Sequence, residues 1–416
     1  MAAATMQSRA IPLRLWLWIG CVSFGGPAAQ IGLLHREFVE RRHWLDAAEF
    51  QRALNLCMLL PGPEALQLAI YIGWRLNGAR GAWVAGLSFL GPAVIVLLCL
   101  SLVQALYGRI PVVAGALYGL EATVVALIGH ALVRLARRAL DTPLQWVIAI
   151  VALIALLATG LPYPLLLVAA GAAGLAARPH RVPTAFVAAP ASGSIRAALA
   201  TALWGAALWL LPLAALTVAG VRGLPVRVYV FMTKAALLTF GGAYAVVKYV
   251  SDDLVRVHGW ITLQQSIAGL ALAETTPGPL MIVLQFFGFA AGWNNPAALS
   301  PASSGTLCAL LATYACFLPS FILVLMCAPQ LERIAGVPWL QAALRGVTAF
   351  VVGVIASLGL TVAAAVLVRA DRAGPEWPAV AITIAAAWSL GRPRIGLFWV
   401  LAGGVAAGCV VIWLRG

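Results

Sequence analysis

Along the chain, uncharged apolar stretches of similar length alternate with short connectors that hold most of the Lys and Arg. The stretches fall at about 12–34, 53–76, 81–106, 111–133, 144–159 and 162–177, and then at 195–221. Six more follow at about 228–250, 267–292, 305–328, 339–368, 377–390 and 394–414. An apolar helix needs about 20 residues to cross a hydrocarbon core roughly 30 Å thick, so these stretches read as membrane segments. The runs are continuous, without a two-residue alternation, and a backbone in lipid must satisfy its own polar groups, so helices are predicted and a barrel is not. The expectation is an all-α polytopic membrane protein with about 13 segments. Residues 178–194, which include Arg178, Pro179, Arg181, Pro183, Pro190 and Gly193, interrupt the pattern as a polar linker.

Composition agrees: 63% of the 416 residues are hydrophobic and 10% charged, with a mean hydropathy of +0.98. The formal charge of +14 comes from connector residues and not from a basic-aromatic block, so it reads as positive-inside topology and not as a nucleic-acid surface. Seven cysteines (21, 57, 99, 308, 316, 327 and 409) lie inside apolar runs without a CxxC spacing, and the five histidines are scattered. No metal site or cofactor is expected, nor a redox or hydrolytic enzyme. Arg9 and Arg14 precede an apolar run that continues to Phe24-Gly25-Gly26-Pro27 with no small-residue cleavage site, which reads as a retained first helix.

The chain repeats itself. Ser23-Phe24-Gly25-Gly26-Pro27, Trp44 and Pro61-Gly62-Pro63 recur as Thr239-Phe240-Gly241-Gly242-Ala243, Trp260 and Pro277-Gly278-Pro279, all 216 positions later. Gly119-Leu120-Glu121-Ala122-Thr123-Val124-Val125 matches Gly346-Val347-Thr348-Ala349-Phe350-Val351-Val352 at 227 positions, which places an insertion at the polar loop Trp293 to Gly305. The halves are expected at 1–180 and 226–416, joined by a linker and one helix at 181–225. Repeats of this kind build secondary transporters, with a site at their interface. Charge counting leaves the topology open: six crossings per half give a modest cytoplasmic excess, whereas re-entrant Pro-Gly-Pro hairpins give a larger one with parallel halves.

No continuous helix can pass Pro-Gly-Pro, because each proline removes an N–H and clashes with the preceding turn. Interrupted backbone in a membrane has to be held by protein or line a cavity. Pro63 or Pro279 then falls in the first turn of a half-helix, whose N-terminal amides suit an oxyanion. The substrate-site candidates are therefore Pro61, Gly62, Pro63, Pro277, Gly278 and Pro279, the paired glycines Gly25, Gly26, Gly241 and Gly242, and the neighbouring Asn55, Gln67, Thr275, Thr276 and Gln285. Lys234 and Arg345 are the preferred cationic ligands or partners of the glutamates, while Lys248 is expected to reach the interface. A carboxylate costs about 3 kcal/mol at the bilayer centre, and desolvation penalises its charge, so Glu64 and Glu274 are the proton-coupling candidates. His35 to Trp44 and Ser251 to Trp260 read as interfacial amphipathic segments, with Arg36, Arg41 and Arg42 as an electropositive entrance.

At these residues the chain resembles the long, two-domain form of the chromate ion transporter family. The matching stretches are Phe24-Gly25-Gly26-Pro27 with His35-Arg36-Glu37, Asn55 to Ala65, Tyr71-Ile72-Gly73-Trp74, Leu238 to Ala245, and Leu270 to Leu280 followed by Gln285-Phe286. The resemblance implies export of chromate through the bacterial inner membrane driven by the proton motive force, chromate resistance, sulfate as a competitor, and two fused repeats of opposite orientation. It tips the topology towards inverted halves. Lys248 departs from the family pattern, which commonly has Leu-Pro at Val247-Lys248, so its role stays open. Protons, chromate, sulfate and membrane lipid are the expected partners, and homodimer formation stays open.

Overall fold

A computed structural model describes residues 12–177, 195–240, 242–296, 298–330, 338–369, 374–392 and 395–415. The linker at 178–194 and Gly241 lie outside them. The described residues are helical almost throughout. Beside the helices they contain a two-residue ladder pairing Val368 with Pro375 and Arg369 with Gly374. In chain order the helices are α1 (Leu13–Val22), α2 (Gly26–His35), α3 (Ala47–Leu59), α4 (Glu64–Tyr107), α5 (Pro111–Ala139), α6 (Pro143–Ala158), α7 (Tyr163–Ala176) and α8 (Ile195–Val218). They continue with α9 (Leu224–Leu237), α10 (Ala243–Asp252), α11 (Leu263–Glu274), α12 (Val283–Asn294), α13 (Pro301–Cys327), α14 (Pro338–Leu367), α15 (Trp377–Leu390) and α16 (Leu397–Arg415).

Local chemistry sets the starts. Proline sits in the first turn of α2, α5, α6, α7, α9, α13 and α15, where its missing N–H costs nothing. Asp46 caps α3 by accepting the Glu49 N–H, and Thr262 caps α11 by accepting the Gln265 N–H, 216 positions later. The same correspondence holds further back. Trp44 N–H donates to the Phe38 carbonyl and Trp260 N–H to that of Leu254, each closing a short π-helical turn, Arg36–Arg41 or Asp253–Val257. The repeat is thus conformational as well as sequential.

α4 is two helices in one. Asn77 (φ −139°, ψ 23°) and Gly78 (φ 63°, ψ −155°) reverse the chain, so residues 64–76 fold back on 79–107. The fold-back is tight because a methyl added at Gly73 overlaps the Gly81 carbonyl and Ala85. α12 and α13 form the matching hairpin, where Gly288 meets Cys308 and Ala312. The connector of that hairpin is shorter than the sequence suggested. Pro301 to Gly305 are helical, because Ser300 accepts the Ser303 N–H and Pro301 stands in the first turn.

The two halves share one core. α5 packs on α14, α15 and α16, and α14 packs on α6 and α7. Small residues allow the approach: Gly119 lies against Gly404 and Gly408, and Gly174 against Gly346. Trp83 of the first half stacks on Phe321 of the second at 4.6 Å. Outward faces of α8 and α16 expose Leu203, Trp204, Leu211, Phe398, Trp399 and Trp413, as surfaces facing acyl chains do. Among the described residues, six helices are long and apolar enough to cross a membrane, and shorter apolar helices accompany them.

Candidate functional site

Four of the expected segments are broken. In the first half, α1 and α2 part at Ser23 to Gly25, and α3 and α4 part at Leu60 to Pro63. In the second half the breaks lie between α9 and α10 and between α11 and the 3-10 turn Leu280–Ile282 that leads into α12. Glycine is required at each, with φ of +93° at Gly25, +126° at Gly62, +131° at Gly242 and +105° at Gly278. Pro63 and Pro279 take extended backbone as the N-caps of α4 and of the 3-10 turn, one position earlier than the first turn the sequence suggested. Neither end has a side-chain cap, so the first-turn amides of Glu64, Ala65, Leu66, Leu280 and Met281 keep their donor capacity.

The breaks of one half are bound to those of the other. The Gly62 N–H donates to the Thr239 carbonyl at 2.9 Å, and the Gly278 N–H donates to the Ser23 carbonyl at 2.8 Å. Position 239 is position 23 plus 216, as 278 is 62 plus 216, so this is one contact made twice in reciprocal sense. Each junction therefore gathers two half-helix N-termini from different halves. One unites the starts of α4 and α10, the other those of α2 and the 3-10 turn before α12. Helix N-termini carry roughly half a positive charge each, and the C-terminal ends of α1, α3, α9 and α11 at the same breaks roughly half a negative one, so each break presents amide donors on one side and carbonyl acceptors on the other.

Side chains lock this arrangement. The Ser23 hydroxyl donates to the Ile19 carbonyl and that of Thr239 to the Ala235 carbonyl, each four residues back. Gln30 Nε2 donates to the carbonyls of Ser23 (3.1 Å) and Gly278 (2.6 Å), bridging the halves. Gln67 Nε2 donates to the Pro61 carbonyl at 2.7 Å. A methyl group on Gly62 overlaps Gln67 Nε2 and the hydroxyl of Ser320 on α13. Gln30 Oε1, Gln67 Oε1 and Ser320 Oγ are buried without a hydrogen-bond partner among the described residues, so unspent polar capacity collects around the breaks.

The carboxylates stand on opposite sides of their breaks. Glu64 is the first residue after Pro63 and half-buried, with no hydrogen bond or ion pair among the described residues. Glu274 is the last residue of α11, buried, and accepts from the Tyr244 hydroxyl of α10 at 2.6 Å. Both neighbour the break between α9 and α10, Glu64 through the Gly62 bond to Thr239 and Glu274 through Tyr244.

Other candidates are placed differently. Thr275 and Thr276 spend their hydroxyls on the Leu272 carbonyl, closing the end of α11. Buried Gln285 donates to the Val94 carbonyl (2.9 Å) and accepts from Thr313 (3.0 Å), tying α12 to α4 and α13. Asn55 accepts from Gln51 on the exposed part of α3. Lys234 and Arg345 are exposed and make no hydrogen bond or ion pair to the breaks. Lys248 does not extend to the interface. It is 2% exposed and holds both carboxylate oxygens of Asp252 at 2.7 and 2.6 Å, because an i, i+4 partner on the same helix satisfies the charge where it stands. Arg41 (2.7 Å) and Arg42 both pair with buried Glu37, so one carboxylate offsets one of the three charges of the expected entrance and holds two of its side chains. The sequence reading missed Gln30, Tyr244 and Ser320, together with Glu121, whose two oxygens accept from Gln264 at 2.9 and 2.8 Å. An uncharged polar residue inside an apolar run was the signal available for Gln30 and Ser320.

Comparison with known proteins matches residues 13–175 and 226–409 to a family described as chromate transporter. A chromate transport protein from Pseudomonas aeruginosa is 35% identical over 364 residues, covering 84% of this chain and 79% of its own length. A probable chromate transport protein from Synechococcus elongatus is 29% identical over 96% of this chain and 94% of its own length. One from Cupriavidus metallidurans is 28% identical over 89% of this chain and 84% of its own. No solved structure matches the chain.

Proposed function

Because the chain belongs to the chromate transporter family, we propose that it exports chromate across a bacterial inner membrane, driven by the proton motive force, and so confers chromate resistance. The observation that carries this reading is the reciprocal pair of hydrogen bonds, Gly62 to Thr239 and Gly278 to Ser23. They bring uncapped or glycine-started helix ends together in two pairs, and such ends favour a doubly negative tetrahedral oxyanion. The repeats 1–180 and 226–416, in opposite orientation and joined by 181–225, then rock about these two junctions to expose the site alternately. The first-turn amides of α4 and of the turn before α12 are the substrate donors, aided by the glycines at 25, 26, 62, 241, 242 and 278. Glu64 and Glu274 take up and release protons during the transport cycle, and the Tyr244 hydroxyl, which donates to Glu274, stabilises that carboxylate when it is ionised. Sulfate, with the same shape and charge, competes.

The test is uptake of radiolabelled chromate by everted vesicles energised by respiration. Accumulation that collapses on adding an uncoupler is expected. Accumulation indifferent to the uncoupler removes proton coupling. Cells that gain sulfate and become more chromate-sensitive on expression identify an importer or a broad carrier of tetrahedral oxyanions instead.

A further inference from the structure

α11 runs into Pro277-Gly278-Pro279, α12 leads away from it, and α4 passes it where the Gly278 Cα faces Ala93. At the far ends of these same three helices lies an open cleft of about 590 Å³, lined among others by Gln104, Arg109, Gln265, Phe289, Trp293 and Asn294. Ten residues of chain separate Gln265 from Thr275, which is about 15 Å of helix, or half a hydrocarbon core. The cleft and the break are thus the two ends of one three-helix shaft. We infer that this cleft is an entry site for a tetrahedral dianion, with Arg109 as its charged ligand. The inference rests on the transport reading above and adds a second binding station to it.

The chemistry of the lining supports an anion. None of the lining residues is acidic. Arg109 is exposed and unpaired among the described residues, so its guanidinium is free to donate. Gln265 and Asn294 are bound to each other in both directions, Nε2 to Oδ1 at 3.1 Å and Nδ2 to Oε1 at 2.8 Å. Asn294 also donates to the Trp260 carbonyl (3.0 Å), and Gln265 Oε1 also accepts from the Thr262 N–H (2.9 Å). These bonds use both Asn294 protons and the Gln265 acceptor, which makes the pair a fixed wall with one Gln265 N–H and one lone pair of Asn294 Oδ1 to spare. Among the described residues the side chains of Gln104 and Trp293 make no hydrogen bond, and Trp293 is held by stacking on Phe289 at 5.6 Å. What the cleft offers an oxyanion is one unpaired guanidinium and the spare carboxamide and indole N–H donors of Gln104, Gln265 and Trp293, with no carboxylate in the lining to oppose them. The nearby carboxylate, Glu121, is buried and turned to Gln264. In the first half, the residue equivalent to Gln265 is Glu49, ion-paired to Arg75 at 2.5 Å, so the corresponding position there carries its own counter-charge.

The experiment uses the full chain in proteoliposomes with radiolabelled chromate, and in detergent with radiolabelled sulfate. Arg109→Gln is expected to raise the half-saturating chromate concentration about fivefold while leaving the maximal rate within a factor of two, because an exposed charge steers and holds the ion without joining the transport step. Arg109→Lys keeps the charge and is expected to stay close to wild type, whereas Gln104→Glu, which puts a carboxylate into the cleft, raises half-saturation at least as far. Sulfate binding in detergent weakens in the same order. Wild type that transports while Arg109→Gln and Gln104→Glu leave half-saturation unchanged overturns the entry site and spares the transport reading. Sulfate binding that depends on Arg109 in a protein moving no chromate keeps the site and ends the transport reading. Neither binding nor transport sinks both.

Discussion

A positive φ and a steric overlap coincide at two glycines. At Gly62 and Gly278 the backbone sits at φ +126° and +105°, and an added methyl meets Ser320 and Gln67 in one case and Ala93 in the other. Left-handed backbone costs an L-residue about 1–2 kcal/mol before any overlap. Gly62→Ala and Gly278→Ala are therefore expected to insert into the membrane at near wild-type level yet transport chromate at less than about a tenth of the wild-type rate, read from vesicle uptake normalised to protein. The carboxylates make a second prediction. Glu64→Gln and Glu274→Gln each lower proton-driven uptake, and Tyr244→Phe follows Glu274→Gln in direction, since it removes the hydrogen bond to that carboxylate. Cys57→Ala, which changes a buried thiol beside the same break, is expected to leave uptake intact. Full activity in both glutamate variants would take them out of the mechanism. The residue types at these positions were readable beforehand. Their partners were not: Glu274 meets Tyr244 across 30 residues and Gln30 meets Gly278 across 248, and separations of that size leave no mark in a local pattern.

At the scale of the element, the helix starting at Ala243 depends on an internal charge pair. Lys248 is 2% exposed and Asp252 29% by side chain, and removing one member of such a pair strands the other in a poorly solvated place. Asp252→Leu alone, which strands the buried lysine, is expected to cost about 3–5 kcal/mol and lower the melting temperature in detergent, while the double change Lys248→Met with Asp252→Leu recovers most of it. A double variant no more stable than the single one would show that the pair is not what holds α10. The apolar runs placed the helices well, because a span must be long and apolar whatever it packs against. They placed the interruptions less well. Pro-Gly-Pro advertises its break and the Asn77-Gly78 reversal falls in the gap between the runs at 53–76 and 81–106, but the breaks between α1 and α2 and between α9 and α10 lie inside runs, 12–34 and 228–250, that read as continuous. The polar stretch after Trp293 misled in the opposite direction, since Ser300 and Pro301 start a helix within it.

At the scale of the whole molecule, neither half satisfies its own Pro-Gly-Pro break. The Gly62 N–H finds its acceptor only in the second half and the Gly278 N–H only in the first, and α5 of the first half packs among α14, α15 and α16 of the second. Residues 1–180 and 181–416 produced as separate chains are each expected to be inert alone and to restore chromate uptake when co-expressed, because a buried N–H left without an acceptor costs about 1–3 kcal/mol and drives reassociation. Transport by either half alone would show that the reciprocal junctions are dispensable.

The sequence alone determined that this chain lives in a membrane, that it is built twice, and where its backbone has to break, since these follow from hydropathy, from repetition and from the covalent limits of proline and glycine. The tertiary structure decided which break faces which, that the glycine amides are spent on the opposite half, that Lys248 is neutralised in place while Arg109 stands free, and that a cleft opens at the far end of the shaft. Those outcomes depend on pairings between residues hundreds of positions apart, and only the folded chain brings them within hydrogen-bonding distance.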